Sequence, residues 1–255
     1  MKKIKNNKKI GLALGGGAVL GAAHIGVLKA LQEHSIKINY VAGTSIGAFI
    51  SALFAFGKTW QDIDKIAHEL NWLDVSGISL SQSGLLSNKK LGKLLEENIG
   101  DVNFEEAKIP IAMVATDITS GEKVIIDKGN IAEAVMASTC IPGIFVPVEI
   151  NDRLLVDGGI VENVPVSPLK EMGADIIVGV DLNAEYSHKK PENIVEVLLR
   201  SFEFTLKTAT ELQTEQVDIL IKPDLSKFNM VDIAQAENLI ERGYLEANKI
   251  LRKVT

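Results

Sequence analysis

The sequence predicts an α/β protein built on a mainly parallel sheet, and three observations carry that reading. Two apolar runs, Lys9–Leu14 and Ile36–Ala42, each end at glycine and each pass directly into a helical pattern. Strand, Gly-rich turn, helix, strand, turn, helix is the order that lays helices against a parallel sheet. Further apolar runs at Ile109–Asp117 and Asp175–Val180 alternate with helical segments. With 255 residues, 46% of them hydrophobic and 24% charged, the chain is large enough for one sizeable core. No Pro- or Ser-rich linker, composition break or internal repeat divides it. The expected organisation is a basic N-terminal tail, residues 1–8, and one domain, residues 9–255.

Taken in order, KIGLAL is a short run bounded by glycines, as a buried first strand should be. Gly15-Gly16-Gly17 makes the turn, and Val19–His34 is helical because Ile25, Leu28 and Leu31 fall on one face. Ile36–Ala42 is the second strand, followed by the turn Gly43–Gly47 and an apolar helix to Phe56. Thr59–Leu70 is an amphipathic helix. Asp74–Ser87 is irregular and serine-rich, and reads either as a mobile lid or as a plain loop. Leu85-Leu86 beside Gly84 would give it an apolar tip for transient contact with a membrane surface. Asn88–Asn98 is a helix, Ile109–Asp117 a strong strand, and Gly121 opens a hairpin-like return through Lys123–Ile126. Asn130–Ser138 is helical and stops before Pro142. Phe145–Ile150 and Arg153–Val156 are strands that meet at Asn151-Asp152. Pro168–Met172 is a short helix, Asp175–Val180 a buried strand, Pro191–Gln213 a long polar helix, Val217–Ile221 a late strand and Asp232–Arg252 a terminal helix.

The charge balance excludes one class of partner. Against 27 basic residues stand 33 acidic ones, a net charge of −6, which disfavours non-specific nucleic-acid binding. A single cysteine, Cys140, permits no intrachain disulfide and suits a reducing compartment. The basic start followed by apolar residues imitates a signal peptide, but Gly15, Gly16, Gly17, Gly21 and His24 interrupt the run. No uninterrupted apolar segment is long enough for a spanning helix, so the expected setting is cytoplasmic.

The chemistry centres on Gly43-Thr44-Ser45-Ile46-Gly47, a G-x-S-x-G pattern. At a strand-to-helix elbow such a serine projects its hydroxyl at the sheet edge, close to the positive end of the following helix. The first glycine cluster offers a backbone cradle for negative charge. It is not a dinucleotide loop, because Leu20 stands where the third glycine belongs, and no Gly-Lys-Ser/Thr follows to make a P-loop. A serine nucleophile needs a base. His34 and His68 sit at helix ends or polar faces, and His24 inside the first helix reads as a core histidine. His188 follows a strand-end aspartate in chain order, but within a polar loop. Asp157, at the end of LLVDGG with glycines beside it, is a carboxylate that can act as base directly. Its alternative is a turn-capping aspartate.

The chain resembles the patatin-like phospholipases, particularly the small bacterial members. GGGAVLGAAHIGVL is similar to that family's oxyanion loop, GTSIGA to its nucleophile elbow and DGG to its aspartate motif. ATDITSGEKVI, STCIPGIFVPV and VDGGIVENVPVSPLKEMGADIIVGVDL also resemble family segments, so the likeness runs from about Ile10 to Leu182. The resemblance implies a three-layer α/β/α sandwich and a Ser–Asp dyad hydrolase of lipid acyl esters, without metal or cofactor. It assigns Ser45 as nucleophile, Asp157 as base, and the amides of Gly16, Gly17 and Ala18 as the oxyanion hole. Two alternatives stay open: a Ser45–Asp157–His188 triad esterase, and a non-catalytic protein that binds lipid or acyl groups. The sequence departs from the family pattern twice. Val19-Leu20 lacks the usual basic residue, and Ala18 stands where many members have glycine. From the first departure, Leu20→Arg is expected to shift preference toward anionic lipids more than it changes stability. Oligomeric state is not legible from the sequence.

Overall fold

The computed structural model describes residues 2–4, 7–69, 77–78, 86–183, 190–191, 194–228 and 232–254. Its centre is an eight-stranded sheet. In chain order the elements that matter are β1 (Ile10–Leu14), α1 (Ala22–Glu33), β2 (Tyr40–Thr44), α2 (Ile46–Ala55) and α3 (Trp60–Glu69). A small pair, β3 (Gly77–Ile78) and β4 (Leu86–Ser87), lies apart from the main sheet. Next come α4 (Lys89–Ile99), β5 (Ile111–Asp117), β6 (Lys123–Ile126), α5 (Ile131–Ser138), β7 (Val148–Ile150) and β8 (Arg153–Asp157). The chain continues with α6 (Gly159–Glu162), α7 (Val166–Glu171), β9 (Ile176–Val180), α8 (Ile194–Thr214), β10 (Ile219–Ile221) and α9 (Ala236–Val254). The stretch expected as a lid or loop, 74–87, falls outside the described residues except for β3, β4 and their pairing.

Hydrogen-bonded neighbours run β10-β9-β1-β2-β5-β8-β7, with β6 also on β5. The strands from β10 to β5 are mutually parallel, whereas β6, β7 and β8 join antiparallel. The strands bury both faces, as parallel strands must. Leu12, Leu14, Val41, Met113, Val178 and Val180 enter one core with residues of α1, α2, α4, α5 and α9. Ala13, Ala42 and Ile177 point to the other face, against Val164, Val166 and Leu169 around α7. Helices therefore cover the sheet on both sides, and the three-layer α/β/α expectation holds.

Several local expectations shift for identifiable reasons. The first helix opens as a 3₁₀ turn, Ala18–Gly21, before α1 begins. The second strand lies further along the chain, because Gly43 and Thr44 pair with β1 or β5 and belong to the sheet rather than to the turn. Asn151 and Asp152 both have positive φ, 53° and 60°, the geometry a two-residue hairpin loop demands. The N-terminal residues are anchored: Ile4 N–H donates to the Val254 carbonyl (2.8 Å), and Lys2 pairs with Asp218. Among the described residues, no helix is long and apolar enough to cross a membrane.

α1 and α9 cross in close contact through two glycines. A Cβ on Gly26 would run into the Ile240 carbonyl oxygen, and one on Gly243 into that of Ala23. Gly26→Ala must therefore push the helices apart. A loss of about 1–3 kcal/mol is expected, the usual cost of overpacking, and urea denaturation would measure it.

Candidate active site

Ser45 occupies the single residue between β2 and α2, with φ 55° and ψ −129°. That is a strained conformation for a residue with a side chain, costing on the order of 1–3 kcal/mol. The elbow is sharp because the glycines on either side permit close backbone approach. A Cβ on Gly47 would strike the Leu14 carbonyl of β1, and one on Gly43 the backbone of Ala48. Ser138 locks the turn: its hydroxyl accepts from Ser45 N–H (2.9 Å) and donates to the Val114 carbonyl of β5 (2.7 Å). Thr44 adds a hydroxyl bond to the Glu162 carbonyl (2.9 Å). The strain is open to a direct check. Ser45→Gly and Ser45→Ala both remove the hydroxyl, but only glycine takes positive φ freely. The glycine variant is expected to be more stable by about 1 kcal/mol or more, read from paired denaturation curves.

Sheet register carries Asp157 to the same place from the opposite direction. β2 pairs with Ile111–Val114 of β5, and β8 with Ala115–Asp117. β6 covers Met113–Thr116 and so fills the other edge. β2 and β8 therefore meet head-on along one edge of β5, Thr44 opposite Val114 and Asp157 opposite Ala115. The Asp157 backbone is gripped on both sides, its N–H by the Cys140 carbonyl (2.8 Å) and its carbonyl by the Thr116 hydroxyl (2.9 Å). The side chain is 1% exposed. Oδ1 accepts from Gly159 N–H (2.8 Å), while Oδ2 has no fully formed hydrogen bond. Burial pushes the carboxyl up to about 6, and the Ser45 hydroxyl and Gly159 amide beside it offset part of that rise. Hydroxyl and carboxyl thus face each other without a tightened bond, as uncomplexed sites often do.

The glycine loop closes the other side. Gly15 N–H donates to Val180 of β9 (3.1 Å), and Gly16 N–H to Asn163 Oδ1 (3.2 Å). Of the three amides singled out in the sequence, Gly16 is therefore committed to Asn163. Those of Gly17 and Ala18 have no hydrogen-bond partner among the described residues. Ala18 takes φ 50°, the left-handed region that makes glycine common there. Leu20 is 2% exposed and packs in the main core, so the sequence expectation for Leu20→Arg is corrected: that position does not face a substrate.

One pocket gathers these groups: Gly16, Gly17, Ala18, Ser45, Asp157 and Asn163, with Ile141, Asn183, Phe202 and Leu206. It lies beyond the carboxyl ends of β1, β2 and β9, where the strand order reverses, the usual ligand crevice of an open α/β sheet. Its volume is about 30 Å³, room for one or two waters. Sequence reasoning did not single out Ser138, Asn163, Asn183 or the α8 residues Phe202 and Leu206. The first two lie inside segments recognised as family-like, while α8 carries no motif.

The described histidines are engaged elsewhere. His24 Nε2–H donates to the Gly15 carbonyl (2.8 Å), and burial pushes its pKa down to about 4, leaving it neutral. His34 meets Asn248 and His68 meets Asp64. His188 lies outside the described residues. Burial pushes the nearby Cys140 thiol up to about 12, which leaves it unreactive. Among the described residues, no group of three His, Cys, Asp or Glu side chains is placed to hold a metal ion.

Comparison with known proteins identifies the family. The family model for patatin-like phospholipases matches residues 12–170, which include both Ser45 and Asp157. The chain belongs to the patatin-like phospholipase family. It is 36% identical to an uncharacterized NTE family protein of Mycobacterium tuberculosis over 184 residues, covering 70% of this chain and 50% of that one. It is 24% identical to lysophospholipase NTE1 of Meyerozyma guilliermondii, covering 98% of this chain and 20% of that one. The chain thus spans half or less of these curated relatives. Among solved structures, VipD from Legionella pneumophila superposes with a TM-score of 0.68 at 15% identity, covering 99% of this chain and 70% of that one. ExoU of Pseudomonas aeruginosa, solved in complex with SpcU, gives 0.54 at 15% identity, covering 96% and 52%. Both show that this family member shares their α/β fold.

Proposed function

We propose that this chain is a serine acyl hydrolase that cleaves lipid acyl esters with a Ser45–Asp157 dyad. The observation that carries this reading is the head-on meeting of β2 and β8, which sets a strained serine against a buried carboxyl. With a pKa near 6, Asp157 is ionised at neutral pH yet basic enough to take a proton in the transition state. Ser45 Oγ bonds to the acyl carbon as its proton passes to Asp157, and the carbonyl electron pair moves onto oxygen. The free amides of Gly17 and Ala18, beside the N-terminus of α2, meet that oxyanion. Collapse expels the alcohol, which takes the proton from Asp157. Water, deprotonated by the same carboxylate, then releases the fatty acid and restores Ser45.

Ile141, together with Phe202 and Leu206 of α8, gives the pocket an apolar lining that suits an acyl chain. The same helix exposes Ile194, Val197 and Leu212, which favours transient contact with a lipid surface. The single buried thiol suits a cytoplasmic setting. A fluorophosphonate probe with mass spectrometry tests the reading. Stoichiometric labelling at Ser45, absent from Ser45→Ala, is the expected result. No labelling of the wild type would favour the non-catalytic binding protein instead.

A further inference from the structure

The Asn163 carboxamide has half of its hydrogen-bonding capacity unused. Its Oδ1 accepts from Gly16 N–H (3.2 Å), a donor shared with the Asn163 backbone carbonyl (3.4 Å), and the amide is assigned with its oxygen toward that donor. Nδ2 is then the end left over. It is buried, has no hydrogen-bond partner among the described residues, and belongs to a side chain lining the same pocket as Ser45 and the Gly17 and Ala18 amides. The whole residue is 2% exposed. A buried donor without an acceptor in the protein is costly, and one that lines a pocket is open to whatever acceptor the pocket takes in, solvent at rest and a substrate oxygen when one is bound.

Two reference points locate the carboxamide. Asn163 Oδ1 and Ser45 Cβ lie 2.8 and 3.1 Å from where a Cβ on Gly16 would sit. Asp157 Oδ1 and Asn163 Oδ1 lie 3.0 and 3.4 Å from the corresponding point on Gly159. The backbone beneath is fixed as well. Asn163 N–H donates to Gln213 Oε1 of α8 (2.9 Å), and Gln213 Nε2 donates to the Val161 carbonyl (3.1 Å). A donor held this firmly needs no reorganisation when charge develops in front of it. Nor is it spent on the carboxyl group, because Asp157 Oδ2 has no hydrogen bond within normal limits among the described residues either.

We propose that Asn163 is a catalytic residue, its Nδ2–H donating to the oxyanion that forms on the acyl carbonyl when Ser45 attacks. The side chain then does two things at once: Oδ1 latches the glycine loop through Gly16, and Nδ2 joins the Gly17 and Ala18 amides around the developing charge. This inference rests on the hydrolase reading above.

Two variants separate the donor from the latch. Asn163→Asp keeps a side-chain oxygen for Gly16 and loses the donor, while Asn163→Leu loses both side-chain groups without adding charge and leaves Gly16 the backbone carbonyl of residue 163. Each is assayed for turnover of a short-chain ester. Each is also titrated with an alkyl trifluoromethyl ketone, which forms a tetrahedral adduct on the serine, and with the matching non-hydrolysable ether. Thermal melts identify the variants that remain folded. In a folded variant, kcat and ketone affinity should both fall by roughly 10²–10³-fold, the loss typical of one oxyanion donor, with KM and ether affinity little changed. Retained turnover, or equal losses of ketone and ether affinity, would overturn the proposal while leaving the dyad intact. A wild-type protein that binds the ketone no better than Ser45→Ala does would remove the hydrolase reading, and this inference with it.

Discussion

Asp157→Asn is expected to abolish ester hydrolysis and, at neutral pH, to make the folded protein more stable. Loss of the base should lower turnover on the order of 10⁴-fold, whereas His188→Ala should change it little. A collapse in the histidine variant would replace the dyad with a triad. The stability effect follows from proton linkage. In the unfolded chain Asp157 ionises near its ordinary 3.8, but in the folded chain near 6. Between those values the folded state holds the extra proton. This group's contribution therefore falls as pH rises from about 4 to about 6 and stays low above that. The gap corresponds to about 3 kcal/mol, which the uncharged asparagine does not lose. His24 works in the opposite sense over nearly the same window. Buried and neutral, it titrates near 4 when folded against 6.5 when free, so its contribution is lost as pH falls from 6.5 toward 4. In the wild type the two nearly cancel. Asp157→Asn unmasks the histidine and should lose about 2 kcal/mol between pH 7 and pH 5 in urea titrations. A wild-type-like flat profile in the variant would mean that Asp157 does not carry the raised pKa.

Leu20→Arg is expected to destabilise the fold severely rather than retune its substrate preference. The side chain is almost wholly buried in the 3₁₀ turn that follows the glycine loop. An unpaired guanidinium there would cost about 3 to 5 kcal/mol. For a chain of this size that lowers Tm by on the order of 10 °C, which calorimetry would register. A melting temperature within a degree or two of wild type would show that the arginine reaches solvent past the loop, and would restore the electrostatic reading.

Why the sequence misjudged the burial of Leu20 but placed Ser45 at its elbow is a matter of range. The elbow is local: five residues contain the strand end, the serine and the glycines that let backbones touch. Asp157 was legible as a strand-end carboxylate, but not the direction of its strand, because pairing with β5 joins residues far apart in sequence. The glycine loop was legible as a cradle. Which of its amides stays free was not, since Asn163 reaches Gly16 from the distant α6 end. Leu20 faces inward because of how the 3₁₀ turn rotates, and apolar spacing in a four-residue turn does not encode that. Ser138 was invisible as a lock because its partners, Ser45 and Val114, come from two other elements.

The shared edge of β5 also bears on how the protein comes apart. β8 is held there by three paired positions, and among the described strands only β7, a short one, lies beyond it. A β7–β8 hairpin can thus detach while the parallel strands β10 to β5 keep their ladders, a partial opening at lower cost than global unfolding. Such an opening carries off the carboxylate and leaves the serine elbow in place. Catalytic competence and foldedness are then separable quantities, and warming should extinguish the first before amide exchange reports loss of the second.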